Sequence, residues 1–436
     1  MTQSYETPDP PSTREQAQIQ LILDAFGDQV EVWPPNWQAV GVDYLYRANS
    51  FLVRDRDLPR IRELFPDGTV ERGGINGLTR FTPRPDFEFP DGSPAAETRT
   101  QRLLAYVDWR LGTHVVTPDN LVYVCSVSPC PATEPEEVTP GSPPDPVAWT
   151  DGCDGRGVRV VVGDVRWTDS PAAYWLDGVT GDDERPFDPP DTDHIRPYAG
   201  HGRFIAGVLR SVARRTEVVV RRSFDRVGAE FESVLVNRLD ALLDDSPDII
   251  SLSAGTNTRN DLPSLAFQVF VEERLSRVKD VVLVAAAGNF SDRRYFFPAA
   301  SPGVVSVGAL SEDRNARASF SDFGGWVDVY APGTNLVNAF LTGRYECTEP
   351  PNKGKIRQFD GMARWSGTSF ATPLVAGLIA ARMSRTGESA RQAADELLAF
   401  ARRQAIPGVG PVLLPGDACA GLDRPDHSCG RHHHCC

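Results

Sequence analysis

No apolar run in this 436-residue chain is long enough to cross a bilayer. The longest clean stretches, such as Val281 to Ala287, fall far short of the ~18–20 residues a spanning helix needs. Positive charge is also in deficit, with 45 Lys and Arg against 59 Asp and Glu and a formal net charge of −14, and that field repels a phosphate backbone. Membrane and nucleic acid are therefore excluded as main partners. Met1 to Arg14 lacks a basic stretch followed by an apolar core, so no secretory signal is expected and a cytoplasmic location is. Cysteine is sparse, eight in all. Cys125 and Cys130 flank a turn and admit a disulfide; Cys153 and Cys347 stand alone; Cys419, Cys429, Cys435 and Cys436 crowd the end without the CxxC or HxxxH spacing of a metal site. Most are expected to be free thiols. What remains is the composition of an ordinary globular protein, 41% hydrophobic and 24% charged, at a length of two or three ~150-residue units.

One compositional break divides the chain. Seven prolines between Ser126 and Trp149, at 129, 131, 135, 140, 143, 144 and 146, with acidic and small residues around them, read as an extended, solvated linker. Upstream, Gln16–Phe26 is helical, Tyr44–Val53 is a strand, and Asp57 and Pro59 open a helix whose apolar face is Leu58, Ile61, Leu64 and Phe65. A further helix over Glu97–Arg110 and a short strand at Leu121–Val124 complete a small α+β unit over residues 1–125. Downstream, β-branched runs at Val158–Val162, Glu217–Val220, Asp248–Leu252, Val281–Ala286 and Val304–Val307 alternate with helical patterns at Phe204–Val212, Glu232–Leu243 and Pro263–Val278. Continuous apolar strands alternating with helices predict an α/β domain over residues 150–405, a parallel sheet flanked by helices on both faces. Residues 406–436 read as a polar tail bearing cysteine and histidine.

Three segments put a reactive side chain at a strand end or a helix start. Val160-Val161-Val162-Gly163-Asp164 closes a buried strand with an acid, which needs a partner because burying it alone costs several kcal/mol. Gly200-His201-Gly202 opens a helix with an imidazole. Ser366-Gly367-Thr368-Ser369-Phe370-Ala371-Thr372-Pro373 sets the Ser369 hydroxyl and N–H at a positive helix terminus, where an oxyanion is favoured. Asp169, His194 and Ser366 are the nearby competitors. The order Asp, His, Ser and the G-T-S-F-A setting differ from the G-x-S-x-G elbow of α/β-hydrolases and from the chymotrypsin order.

With these motifs, residues 149–402 resemble the catalytic domain of the subtilisin-like serine proteases. Gly367 through Gly377 is similar to the nucleophile motif and His201-Gly202 to the histidine motif. Ala286-Ala287-Gly288-Asn289 resembles the segment whose Asn completes the oxyanion hole, and Ser251-Leu252-Ser253-Ala254-Gly255 a specificity-pocket wall. Phe320-Ser321 and Ala331-Pro332-Gly333 match signatures between them. The resemblance implies a serine endopeptidase with Asp164, His201 and Ser369 as catalytic residues and Asn289 in the oxyanion hole. A polypeptide substrate is expected as an extended strand along Ser253, Ala254 and Gly255, with Ala286, Ala287 and Gly288 as the facing wall. No cofactor is required for that chemistry; structural calcium is compatible with the resemblance, although no oxygen-rich loop marks a site. The N-terminal unit fits either a removable propeptide or a retained regulatory domain with a partner of its own.

Three residues depart from the pattern. Asp164 is followed by Val165 and Arg166 where a small hydroxyl residue and glycine are usual, and Arg203 replaces the usual Thr after His-Gly. These departures motivate a rival reading, a catalytically weak pseudoprotease that binds peptides or partners in the same groove; an acyl hydrolase acting on esters is a third. The arginines at 210, 214, 215, 221 and 222 read as a solvated face.

Overall fold

The computed structural model describes residues 13–72, 75–124, 133–149, 152–168, 173–182, 193–225 and 227–419. The expectations for a Cys125–Cys130 disulfide, for Asp169 and for the chain beyond residue 419 lie outside them.

Seven parallel strands form the central sheet in the spatial order Val329–Pro332, Val304–Leu310, Val282–Ala286, Ile249–Leu252, Arg159–Asp164, Glu217–Arg222, Thr180–Gly181. Alternate residues serve opposite faces. Val160, Val162, Val218, Val220, Val284 and Val307 pack with helices His201–Val212, Thr368–Thr386 and Ala390–Arg403. Val161, Val219, Ile250, Leu252, Leu283 and Ala285 pack with helices Glu232–Leu242 and Leu265–Glu273. Burial on both sides is why these strands read as unbroken apolar runs, and the expected α/β class is borne out. The first strand, Arg159–Asp164, sits inside the sheet. Later strands add on both sides of it, so the crevice where such sheets bind ligands opens at its carboxyl end.

The N-terminal unit carries a four-stranded antiparallel sheet in the order Thr69–Arg72, Leu78–Thr82, Phe51–Arg54, Val116–Thr117. Phe51 and Val53 face its own helices, meeting Ile61, Phe65, Leu103, Leu104 and Val107. Leu52 faces the other way and, with Ile75 and Leu78, joins the core around Leu265–Glu273. The unit is thus packed onto the second half of the chain through the back of its sheet. The single strand expected at Tyr44–Val53 is two, Tyr44–Arg47 and Phe51–Arg54, turned at Asn49 (φ 59°), a conformation asparagine tolerates better than most residues.

Three further expectations differ from the structure. The proline-rich segment is not a solvated spacer over residues 133–149. Glu136 exchanges two 2.9 Å backbone hydrogen bonds with Arg364, and Asp145 exchanges two with Val337, along the hairpin Leu336–Glu346/Ile356–Trp365. Proline favours extended backbone, and the residues between prolines supply the N–H groups that pairing needs. Glu134 is buried and accepts hydrogen bonds from the Tyr345 hydroxyl (2.9 Å) and Thr348 N (2.6 Å). The tail likewise begins inside the fold: Leu413 N donates to Tyr330 O and Tyr330 N to Pro411 O, each at 2.9 Å. Cys153 and Cys419, expected as separate thiols, form a disulfide across a sequence separation of 266, a contact only the tertiary fold creates. Cys347 is a buried free thiol. Among the described residues, no helix is long and apolar enough to cross a membrane.

Candidate active site

Asp164 ends its strand fully buried, and His201, 2% exposed, opens its helix directly opposite. The imidazole Nδ1 lies 3.0 Å and 2.9 Å from the two carboxylate oxygens. Gly200 precedes the helix in the left-handed region (φ 81°), which glycine adopts without a Cβ penalty. Gly202 is required by packing, since a Cβ there would come within 2.6 Å of the Arg166 carbonyl. The residues that depart from the motif are accommodated. Val165 N donates to Asp164 Oδ1 at 2.8 Å, supplying by backbone a bond the missing hydroxyl could have made, and no Arg166 salt bridge competes for the carboxylate among the described residues. Arg203 is fully buried, donating Nε to Phe340 O (3.1 Å) and Nη1 to Thr168 O (2.8 Å), with its guanidinium 5.5 Å from the Trp167 ring centroid.

Ser369 sits in the first turn of helix Thr368–Thr386, whose next residue, Phe370, packs its ring against His201 at 5.4 Å. Pro373 explains an unusual contact. It lacks the N–H that would bond Ser369 O four residues earlier, and the Ser253 hydroxyl donates to that carbonyl instead, at 2.7 Å. The Ser369 hydroxyl in turn lies 3.5 Å from Ser253 O. Asn289 is oriented by Thr368, which donates its N–H (2.9 Å) and hydroxyl (3.0 Å) to Oδ1. With Oδ1 accepting both bonds, the NH₂ is the donor end of the amide, 3.7 Å from where a Cβ on Gly367 would lie. The structure therefore gathers Asp164, His201, Ser369, Asn289 and Ser253 into one site. Of the two described competitors, Ser366 Oγ accepts from Asn335 N (2.8 Å) and His194 forms a β-bridge with Arg344 in the hairpin.

The site's groove holds a strand of the chain itself. Leu121–Val124 runs antiparallel between Ala229–Phe231 and Ala254–Gly255, with Val124 opposite Ala254 and Tyr123 opposite Gly255. Val124 N also donates to Gly228 O at 2.8 Å. The Leu121–Val124 strand was legible in the sequence; its place in this groove was not.

Two buried carboxyls stand out, one beside Asn289 and one beside Asn120. Asp322 accepts from Phe290 N (2.7 Å) and Asp292 N (3.0 Å), fixing the loop after Asn289, and burial pushes its carboxyl well above the usual range. Glu232, in the first turn of its helix, is pushed up to about 8, first by burial and then by the charge of Asp119. Among the described residues, no group of three or more His, Cys, Asp or Glu side chains is placed to hold a metal ion. The arginines expected as a solvated face are partly engaged, Arg221 with Asp182 and Asp245 and Arg222 with Asp225.

A family profile described as the subtilase family, peptidase S8, matches residues 179–406, just over half of the chain. The chain belongs to the subtilase family. Asp164 lies before the matched span, so its assignment rests on motif and geometry. Relatives of this subtilase are serine proteases. A thermophilic serine proteinase of Bacillus sp. (strain AK1) is 31% identical over 272 residues, 57% of this chain and 58% of its own. Subtilisin E of Bacillus subtilis (strain 168) is 28% identical over 46% of this chain and 49% of its own. An intracellular serine protease of Paenibacillus polymyxa is 29% identical over 52% and 66%. The chain thus spans about half to two-thirds of the length of these relatives. Among solved structures, fervidolysin of Fervidobacterium pennivorans, a keratinolytic enzyme related to subtilisin, aligns at a TM-score of 0.57 over 87% of this chain and 61% of its own. At 17% identity that likeness concerns the fold alone.

Proposed function

We propose that this subtilase is a serine endopeptidase. The observation that carries the reading is the Asp164–His201 pair, bonded at 2.9–3.0 Å and packed against the first turn of the Ser369 helix. In this mechanism His201 Nε2 takes the Ser369 proton as Oγ attacks the substrate carbonyl. Asp164 holds the imidazole tautomer and stabilises the imidazolium. The Asn289 NH₂ and the Ser369 N–H receive the oxyanion. His201 returns the proton to the leaving amine, and water then releases the acyl group by the same steps. No cofactor enters. A fluorophosphonate probe should label the protein at Ser369, with labelling lost in Ser369→Ala and His201→Ala; an unlabelled wild type that still binds peptide would overturn the reading in favour of a non-hydrolytic peptide-binding module. That alternative draws on the Ser369 hydroxyl lying near Ser253 O with no hydrogen bond to His201 among the described residues, although such bonds often tighten only when substrate binds.

In the same proposal the N-terminal unit is a built-in occupant of the groove. Supporting this, Leu121–Val124 takes the extended, doubly paired course expected of substrate. N-terminal sequencing of the mature protein should find cleavage within residues 125–132, and a fully active chain of intact mass would argue for a retained regulatory domain. The Cys153–Cys419 disulfide favours an oxidising compartment over the cytoplasm expected from the N-terminal sequence.

A further inference from the structure

The two backbone walls named above, Ser253–Gly255 and Ala286–Gly288, do not enclose an open slot. The loop after Asn289 folds back so that Phe297 and Thr256 exchange two 2.9 Å backbone hydrogen bonds, and this sets Phe296 against both walls. A Cβ on Gly255 would overlap the Phe296 ring and come within 2.8 Å of Phe297 O. A Cβ on Gly288, whose φ is +106°, would lie 3.1 Å from Phe296 Cγ and overlap the Asp322 carboxylate. Glycines on facing walls therefore both abut one ring. That ring is fully buried, shares an apolar cluster with Ala286, and is held by Phe290 and Tyr123 at centroid distances of 5.8 Å and 6.4 Å.

Resting on the protease reading, we infer that Phe296 is a specificity-determining residue that fills the base of the side-chain pocket and restricts the residue whose carbonyl is attacked to glycine, alanine, serine or cysteine. The groove strand gives the register. A bound chain with one residue opposite Ala254 carries its next residue past Ser253, the residue in contact with Ser369. A ring-sized side chain would have to displace a packed phenylalanine, whereas a single methylene in a fitted pocket already discriminates by roughly 10–200-fold.

The test is a set of fluorogenic peptides differing only at the attacked residue, Ala, Ser, Leu, Phe or Arg. They are assayed with full-length protein incubated until fluorophosphonate labelling is complete. Wild type should turn over Ala or Ser at least ~10-fold better, by kcat/KM, than Leu, Phe or Arg. Phe296→Ala should raise the Phe and Leu peptides by at least ~10-fold relative to Ala, and Phe296→Leu, which keeps an apolar filler if the alanine variant does not fold, should shift the order less in the same direction. A wild type that prefers Phe, Leu or Arg, or variants that leave the order unchanged, would overturn the inference while labelling left the protease reading standing. Absence of both labelling and turnover in wild type would remove both.

Discussion

At the residue scale, Ser253 and Pro373 act as a pair. The proline frees the Ser369 carbonyl from the helix ladder, and the Ser253 hydroxyl satisfies it. Ser253→Ala should therefore cost ~1–3 kcal/mol, the penalty of a buried orphan acceptor. Chemical denaturation should find most of that cost absent in a Pro373→Ala background, where a helical N–H replaces the hydroxyl, and a cost that persists unchanged in the double variant would refute the pairing. Asn289→Ala should lower kcat on the order of 10²–10³, a figure carried over from subtilisin, with a smaller change in KM. The residues proposed for the chemistry, Asp164, His201, Ser369 and Asn289, could be picked out of the sequence because the proposed chemistry needs particular residue types beside glycine at a strand end or a helix start. Phe296 was not legible. An apolar residue in a loop reads as core, and only the facing glycines reveal what it fills.

At the element scale, the contact between the Leu121–Val124 segment and the second half of the chain has a titrating component. Asp119 caps the helix Glu232–Leu242, accepting from Ser233 N (3.1 Å) and the Ser233 hydroxyl (2.8 Å). Asn120 Nδ2 donates to Glu232 Oε1 at 3.1 Å, and the Ser264 hydroxyl to Oε2 at 2.5 Å. Burial and the charge of Asp119 push the Glu232 carboxyl up to about 8 in the fold from an ordinary value of about 4.5, so the folded state binds this proton more tightly than the unfolded chain does. Its stabilising contribution is complete below about 4.5 and is lost as pH rises through about 8. The fall in Tm between pH 7 and 9 should be shallower in Glu232→Gln than in wild type; equal slopes would place the titration elsewhere. The major elements of the sheet and its helices could be read from their apolar runs. The proline-rich segment could not, because composition alone does not say whether extended backbone meets water or a free sheet edge.

On the scale of the whole molecule, the Cys153–Cys419 disulfide ties the start of the α/β domain to the end of the described chain. Cys153→Ser should destabilise by ~2–4 kcal/mol, and reductant should lower the denaturation midpoint of wild type but not of the variant. An unchanged midpoint in the variant would show that the crosslink is dispensable. Neither cysteine carried a pairing signal, since the partners meet only once the sheet is assembled. The N-terminal unit is held across its face by Arg54–Glu272, Arg259–Asp108 and Arg294–Asp43, each at 2.7–2.8 Å, but single bridges of this kind add only ~0–1 kcal/mol each. Covalent connection matters more. Because Leu121–Val124 belongs to the same chain as the groove it fills, its occupancy does not fall when the protein is diluted, and tethering of this kind corresponds to effective concentrations on the order of mM. An added peptide competes against that standing concentration however little enzyme is present. Were the backbone between residues 124 and 133 cut, the contest would become bimolecular, and dilution alone would begin to empty the groove.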